Sequence, residues 1–268
     1  MKIIVLGSTG MLGNAVGKHF LQGYGEDQVL LSYRNEKIAF GKRRFAFDPL
    51  ADPLEAIPPG DVLINCIGVI KPFMKGNVVN AIRINSLFPR QLADHCQRSG
   101  TKLFHITTDC VFSGKDGNYT EQSPHDALDD YGKSKSLGEP ENCMVIRTSI
   151  IGEEIHKNAS LIAWVKSQAG KETNGFTNHW WNGITTNQYA KAVDAILRND
   201  WHQNGLFHVF SNRVNKCELV KLISDRFQLG LKVKPFEANP PCDRSLASVK
   251  DLCGKLNVPS LEQQLREI

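Results

Sequence analysis

Tyr131 and Lys135 are the residues of this chain whose types and spacing predict chemistry most directly. Residues four apart lie on one face of a helix, so the phenol and the ammonium would be neighbours. A neighbouring cation favours phenolate and would bring an acid of pKa about 10 towards the working range of an enzyme. Such pairs are common by chance, but here Thr108 and a glycine-rich segment, residues 7–13, precede the pair. That order predicts a site for hydride transfer.

The glycine-rich segment predicts a dinucleotide site. Gly7, Gly10 and Gly13 follow the apolar run Ile3–Leu6 and open a helical pattern. In this context glycines allow a tight turn, and the helix N-terminus offers N–H groups to a pyrophosphate. A glycine-rich turn without a ligand is the alternative interpretation. The expected cofactor contacts in this segment are Gly7, Thr9, Gly10, Met11 and Leu12.

Short apolar runs alternate with helical stretches, which is the pattern of an α/β, Rossmann-type doubly wound parallel sheet. The predicted strands are Ile3–Leu6, Val29–Ser32, Arg44–Phe47, Val62–Ile67, Leu103–Thr107 and Met144–Arg147. The predicted helices between them are Met11–Leu21, Asn77–Arg98 and Tyr131–Leu137. The carboxyl ends of parallel strands share one edge, where such sheets bind ligands.

Beyond residue 150 the pattern loosens and predicts a second, smaller lobe. Its predicted elements are helices at Leu161–Ala169, Gln188–Arg198 and Cys217–Phe227, the last capped by Asn215, and a strand at Leu206–Phe210. We expect residues 1–150 to form the NAD(P)-binding domain and residues 151–268 mainly a substrate-binding lobe, partly interleaved with the first.

The end of the second strand run indicates which nicotinamide cofactor would bind. Where an acidic residue would hold the ribose of NAD, the chain has Ser32 and Arg34. Arg34 can pair with a 2′-phosphate, which favours NADPH over NADH, although a solvated loop cation is equally ordinary. Asp48 could meet the adenine, but Asp before Pro is also a common turn residue. The other expected cofactor contacts are Cys66, Ile67, Gly68 and Thr107, together with Tyr131 and Lys135.

Composition argues against several classes of protein. The net charge of +4 is small, and the cluster Lys42–Arg44 has no aromatic interleaving, so nucleic-acid binding is poorly supported. The apolar run at the N-terminus is too short for a membrane span or signal peptide. The seven cysteines are odd in number and lack ligand spacing, which predicts free thiols in the cytoplasm and no metal site.

Taken in order, these motifs resemble the dTDP-4-dehydrorhamnose reductase family of the extended short-chain dehydrogenase/reductase superfamily. The segments that carry the resemblance are 7–13 (GSTGMLG), 107–114 (TTDCVFSG), 119–121 (YTE), 131–139 (YGKSKSLGE) and 146–149 (IRTS). Two later segments resemble it more weakly, 183–186 (GITT) and 243–246 (DRSL).

The resemblance implies NADPH-dependent reduction of the C4 ketone of a dTDP- or UDP-linked 6-deoxy sugar, in deoxysugar and surface polysaccharide biosynthesis. Thr108 would hydrogen-bond the substrate carbonyl, Tyr131 would supply the proton, and Lys135 would hold the nicotinamide ribose. The protein would be a monomer or homodimer. The second lobe would close over the sugar nucleotide, with candidate contacts Asp109, Lys157, Asn158 and Arg244.

Three positions depart from the family pattern. Cys110 stands where the family commonly has tyrosine, and Ile150 stands where it commonly has tryptophan, so both expected aromatic walls of the sugar site are changed. Trp181 could supply replacement stacking, although a tryptophan is more often a core residue. The glutamate of the metal-bridged dimer is missing after the glycine loop, since residues 14–15 are Asn-Ala.

Three other functions share parts of this motif set. Sugar-nucleotide 4,6-dehydratases place an acid after Thr-Asp, where this chain has Cys110. Epimerases also use tyrosine and lysine but retain NAD tightly, whereas Ser32 and Arg34 favour exchangeable NADPH. A non-catalytic NADP-binding regulatory subunit, like the β subunit of methionine adenosyltransferase, would use this fold only for binding. The intact predicted catalytic residues argue against that alternative but leave it open.

Overall fold

The computed structural model describes residues 1–156 and 158–268 of the chain. Its strands are β1 Ile3–Leu6, β2 Val29–Tyr33, β3 Arg44–Ala46, β4 Val62–Asn65, β5 Lys102–Thr108, β6 Met144–Thr148, β7 Ile150–Ile151, β8 Glu172–Phe176, β9 His179–Trp181, β10 Ile184–Thr185, β11 Gly205–His208, β12 Val214–Asn215, β13 Lys232–Phe236 and β14 Cys242–Asp243. Its α-helices are α1 Met11–Tyr24, α2 Val78–Ile82, α3 Phe88–Ser99, α4 Asp130–Leu137, α5 Leu161–Ser167, α6 Thr186–Arg198, α7 Lys216–Arg226, α8 Leu252–Leu256 and α9 Leu261–Leu265.

A seven-stranded parallel sheet, in the order β11-β6-β5-β4-β1-β2-β3, positions the candidate site. The chain winds outward in both directions from β1, so the strand order reverses between β1 and β4. Open α/β sheets bind ligands in the crevice at such a reversal, beyond the carboxyl ends of the strands. The predicted Rossmann-type α/β fold is therefore confirmed.

Both faces of the sheet are buried, which explains why its strands are continuous apolar runs. Ile3 and Val5 of β1 pack with α1 and α6, while Ile4 and Leu6 of the same strand pack with α3 on the opposite face. The six predicted strands are present, with ends shifted by two residues or fewer.

The predicted helix Asn77–Arg98 is interrupted. A π-helical turn, Arg83–Leu87, separates α2 from α3. Pro89 has no N–H to donate to the carbonyl four residues back, which is that of Asn85, so regular α-helical bonding cannot continue through this point. In this turn the Asn85 side chain hydrogen-bonds to the Val69 backbone and to the Ser134 hydroxyl. Because Ser134 lies on α4, the interruption faces that helix.

Part of the chain after residue 150 returns to the first domain. Strand β11 completes the edge of the central sheet beside β6, and α6 packs against α1. The remainder forms small sheets, including β12-β9-β14 and β13-β8, with α5, α7 and α9. The predicted strand Leu206–Phe210 is β11, and the predicted helix cap at Asn215 is present as a capping box with Glu218. No helix in the described ranges is long and apolar enough to cross a membrane.

Candidate active site

The three predicted catalytic residues come together at the carboxyl edge of the sheet. Thr108 is the last residue of β5, and Tyr131 and Lys135 lie on α4. The Thr108 hydroxyl lies close enough to the Tyr131 phenol to oppose the rise that burial causes in the pKa of Tyr131. Helix α4 is docked by the Ser86 hydroxyl, which donates to the Ser134 carbonyl at 2.6 Å. Residues more than twenty positions apart thus form one cluster.

Burial determines the acidity of Tyr131. Its ring keeps some exposed surface, but protein surrounds its hydroxyl, and this burial raises the pKa of Tyr131 above its usual range. The Cys110 thiol adds to the rise, and the contact with Thr108 opposes it. The sequence argument predicted a pKa lowered by Lys135, and that prediction is wrong. The Lys135 ammonium instead donates to the Ile106 carbonyl at 3.1 Å.

Lys135 is shifted in the opposite sense. Burial lowers the pKa of Lys135 to about 8, and the Glu139 carboxylate opposes the shift. Burial disfavours the charged form of each group. The same environment therefore raises the pKa of the Tyr131 phenol and lowers the pKa of the Lys135 ammonium. At neutral pH Tyr131 is therefore a protonated acid, and Lys135, one helical turn away, is a cation that loses its proton more readily than an ordinary lysine.

The glycine loop has the geometry of a diphosphate site. Gly7 has φ +76°, and a Cβ at Gly13 would lie 2.1 Å from the Gly7 carbonyl oxygen, so only glycine fits. Helix α1 begins after Gly10 with no side-chain cap and no acidic residue in its first turn. Its first N–H groups, including those of Met11 and Leu12, are free of such capping partners and can bind anionic oxygens. These features fit the phosphates of a dinucleotide.

Side chains in and beside the loop have structural roles. Leu12 lies in the main core, so it can offer a ligand only its backbone. Ser32 is buried, and its hydroxyl accepts a hydrogen bond from the Gly7 N–H at 2.8 Å. Ser8 donates to the Ser32 carbonyl at 2.7 Å, while Thr9 is half-buried. Ser32 therefore fixes the loop to β2.

The predicted adenosine contacts lie beyond β2 and β3. Arg34 is exposed and has no hydrogen-bond or ion-pair partner within residues 1–156 and 158–268. Asp48 accepts a hydrogen bond from the Leu50 N–H at 3.0 Å, and its own N–H donates to Asp52 at 2.7 Å. Asp48 thus forms an ordinary turn, whereas Arg34 is available to a ligand.

Four further predicted cofactor contacts line the edge of the sheet. Cys66, Ile67 and Gly68 follow β4, and Ile67 lies against the glycine loop, 3.0 Å from where a Cβ on Gly7 would be. Thr107 is buried, and its hydroxyl has no hydrogen-bond partner among the described residues. An unpaired buried hydroxyl at a ligand edge fits a site that a polar ligand completes.

The predicted substrate side is strongly charged. Asp109 is buried in the turn after β5, where burial raises the pKa of its carboxyl while Arg244 and Lys216 oppose the rise. Arg244 donates to the carbonyls of Phe112 at 2.9 Å and Ser113 at 3.2 Å. Cys110 is half-buried beside them, and burial raises the pKa of its thiol to about 12. These residues adjoin Thr108 and Tyr131.

The other predicted substrate contacts do not form one cluster with Asp109 and Arg244. Trp181 is only 4% exposed and packs in the core of the second lobe, so little of its ring is available for stacking. Ile150 pairs with Ile184 and packs against the main core. Asn158 is exposed. Lys157 lies outside the described residues.

Sequence analysis missed Lys216. The predicted helix began at Cys217, and no motif marks the residue before it. Antiparallel pairing of β12 with β9 brings Lys216, the first residue of α7, beside Trp181 and Asp109. Only this tertiary pairing reveals the residue.

The family described as RmlD substrate binding domain matches residues 1–252. Methionine adenosyltransferase 2 subunit beta of Danio rerio is 27% identical over 247 residues, which cover 85% of this chain and 74% of that protein. The dTDP-4-dehydrorhamnose reductase of Mycobacterium tuberculosis is 30% identical over 145 residues, or 52% of this chain and 44% of that protein.

A solved structure of dTDP-4-dehydrorhamnose reductase from Bacillus anthracis, in complex with NADP, has a TM-score of 0.75 and 18% identity. The match covers 99% of this chain and 97% of that chain, and at this identity it shows the fold alone. The family match extends over both the glycine loop and the Thr108–Tyr131–Lys135 cluster, and it confirms the resemblance drawn from the motifs. This chain belongs to the RmlD substrate binding domain family.

Proposed function

We propose that this chain is an NADPH-dependent reductase of the C4 ketone of a nucleotide-linked 4-keto-6-deoxysugar. The observation that carries the proposal is the contact between Tyr131 and Thr108, with Lys135 on the same helix, at the sheet edge that also holds the glycine loop. Burial keeps Tyr131 protonated at neutral pH, which suits a proton donor. The Mycobacterium tuberculosis relative supports the reductase assignment.

The glycine loop and the ends of the neighbouring strands hold the cofactor in this proposal. The N–H groups at the start of α1 bind the diphosphate, and Arg34 pairs with the 2′-phosphate. Asp48 lies at the adenine end. The nicotinamide end adjoins Cys66, Ile67, Gly68 and the unpaired hydroxyl of Thr107. Bound NADPH supplies the hydride for the reaction.

The protein supplies the proton and the alignment. The Thr108 hydroxyl turns from the Asp109 carboxylate to donate its hydrogen bond to the ketone oxygen, and Tyr131 transfers its phenolic proton to that oxygen as the alkoxide develops. Lys135 turns from the Ile106 carbonyl to the nicotinamide ribose, and its positive charge stabilises the phenolate that remains on Tyr131. Hydride and proton together convert the carbonyl into an alcohol.

The substrate-binding lobe is proposed to receive a dTDP- or UDP-linked sugar. Asp109, Cys110 and Arg244 contact it from the side next to Thr108. Ile150 and the exposed part of Trp181 lie at its wall. Lys157 and Asn158 are also proposed to contact it.

A second candidate function is supported by one finding. The relative from Danio rerio, which matches 85% of this chain, is a subunit of methionine adenosyltransferase rather than a reductase by name. In that case the chain would bind NADP and a partner without turnover. The intact catalytic cluster favours the reductase, because a binding role does not require a buried phenol beside Thr108 and Lys135.

The test is NADPH oxidation by the purified protein with a panel of dTDP- and UDP-linked 4-keto-6-deoxysugars. We expect oxidation with at least one of them and a loss of about 10²- to 10⁴-fold in kcat for Tyr131→Phe. The control Tyr33→Phe, which changes a half-buried phenol outside the cluster, should retain activity. Oxidation by none of the sugars, or undiminished activity of Tyr131→Phe, refutes the reductase.

A further inference from the structure

Lys216 is a cation beside Asp109 and Arg244 that has no hydrogen-bonded partner in residues 1–156 and 158–268. Its ammonium lies 5.1 Å from the centre of the Trp181 ring, and it has no hydrogen bond or ion pair among the residues that the structure describes. Burial lowers the pKa of Lys216, and the Asp109 carboxylate opposes that shift. The residue is half-buried, so its ammonium has lost part of its solvent without gaining a hydrogen-bonded counter-charge among the described residues, and such a loss is costly.

The neighbouring charges are already engaged. The Arg244 guanidinium donates to two backbone carbonyls, and the Asp109 carboxylate accepts from the Thr108 hydroxyl at 3.1 Å. Further out, Asp129 pairs with Lys71, and Asp243 pairs with Arg213. Two cations therefore face a single buried carboxylate, Asp109, beside the catalytic cluster. This leaves an excess of positive charge centred on Lys216.

We propose that Lys216 is a further substrate-binding residue, whose ammonium receives anionic oxygens of the substrate beside the Thr108–Tyr131 pair. The inference rests on the proposed function, because it takes the substrate to be a sugar nucleotide. Such a molecule carries its anionic oxygens in the diphosphate, because a 6-deoxysugar has no carboxylate on its ring. Trp181 orients the lysine stem, and Asp109 holds the ammonium at the site through its charge.

The experiment compares Lys216→Met and Lys216→Arg with Lys221→Met, an exposed lysine on the same helix. Dissociation constants for UDP, dTDP, UDP-glucose and UDP-glucuronate are measured by calorimetry in the presence of NADP. We expect Lys216→Met to weaken anion binding by about 10- to 100-fold, the usual effect of losing one charge-assisted hydrogen bond. Lys216→Arg should recover most of the affinity, and Lys221→Met should bind like the wild type.

The probes identify which oxygens Lys216 binds. Weaker binding of all four probes assigns it to the diphosphate that they share, whereas a loss confined to UDP-glucuronate would assign it to a sugar carboxylate and contradict a 6-deoxysugar substrate. Wild-type affinities for all four probes in Lys216→Met would overturn the inference, as would the absence of binding of every probe to the wild type. NADP affinity should be unchanged in each variant, because the described contacts of Lys216 include no residue of the glycine loop.

This test is independent of turnover. If no keto sugar is reduced but Lys216→Met still loses nucleotide affinity, the reductase fails and the Lys216 site stands. If reduction occurs and the variant binds the probes normally, the reductase stands and the Lys216 site fails.

Discussion

At the scale of single residues, burial acts in opposite directions on the two groups that define the site. It raises the pKa of Tyr131 and lowers that of Lys135, because each side chain loses the solvent that favours its charged form. The spacing of four correctly predicted a phenol and an ammonium on one helix. It could not predict that the ammonium would bind the Ile106 carbonyl, since that contact depends on how α4 docks on β5.

The pH dependence of activity follows from Lys135. Its ammonium loses the proton as the pH rises through about 8, whereas Tyr131 stays protonated throughout that range. We expect kcat/KM for NADPH, which reports groups of the free enzyme, to be constant below this pH and to decline above it. Lys135→Arg should remove the decline at reduced activity, and Lys133→Met, on the exposed side of α4, should preserve it. A wild-type profile without a decline up to pH values near the usual lysine pKa would contradict this account.

Arg34 is the residue expected to select the cofactor. Because its side chain is exposed and unengaged by described residues, its loss should affect the ligand and not the fold. Arg34→Ala should weaken NADPH binding by about 10- to 100-fold and leave NADH binding within about twofold. The matched control is Arg43→Ala, whose guanidinium instead donates to the Asp27 carbonyl. Equal losses for NADPH and NADH would show that Arg34 does not read the 2′-phosphate.

At the scale of elements, the β1–α1 connection was the most predictable part of the site. Local sequence specifies it, because the glycines, the preceding apolar run and the following helix are contiguous. By contrast, the prediction of one continuous α-helix at residues 77–98 was wrong. Pro89 is a local signal for an interruption, but the π-helical turn before it also accompanies contacts of Asn85 with Val69 and Ser134, which the sequence does not show. Contiguous motifs were therefore more predictable than helix interruptions set by tertiary contacts.

The glycine loop can be tested with two substitutions in one helix. Gly13→Ala would place a Cβ 2.1 Å from the Gly7 oxygen, so the loop must move and NADPH affinity should fall by at least about 10-fold. Gly23→Ala has no contact closer than 3.5 Å and should raise the free energy of unfolding by about 0.5–1 kcal/mol. Fluorescence titration with NADPH and urea denaturation measure the two effects. Unchanged NADPH affinity in Gly13→Ala would mean that the loop does not hold the cofactor.

A buried ion pair fixes the end of α4. Arg147 is fully buried, and its Nε donates to Glu139 at 3.1 Å just beyond the helix. Glu139→Ala would leave that guanidinium without its counter-charge and should lower the free energy of unfolding by about 3–5 kcal/mol. Glu267→Ala, which breaks an exposed pair with Lys191, should cost about 1 kcal/mol or less. Urea denaturation should separate the variants, and similar losses in both would contradict this role.

At the scale of the whole molecule, residues far along the chain, beyond residue 150, contribute side chains to the site. The Asn182 side chain exchanges two hydrogen bonds with the Leu246 backbone, at 2.7 and 2.9 Å. This places Arg244 against the turn that follows β5, while Lys216 arrives on a separate helix. The family motif pointed to Arg244, but contacts between such distant positions cannot be read from local pattern, so Lys216 was missed.

Deuterium transfer from the cofactor to the sugar decides whether this chain is a reductase. NADPH carrying deuterium at the transferred C4 position is incubated with the protein and a keto sugar that supports oxidation, and the product is analysed by mass spectrometry and NMR. The account predicts deuterium on the sugar carbon that bears the new hydroxyl, with the label absent from the product in Tyr131→Phe over the same interval. A sugar that is epimerised, dehydrated or recovered without deuterium would contradict the assignment of this chain as a reductase.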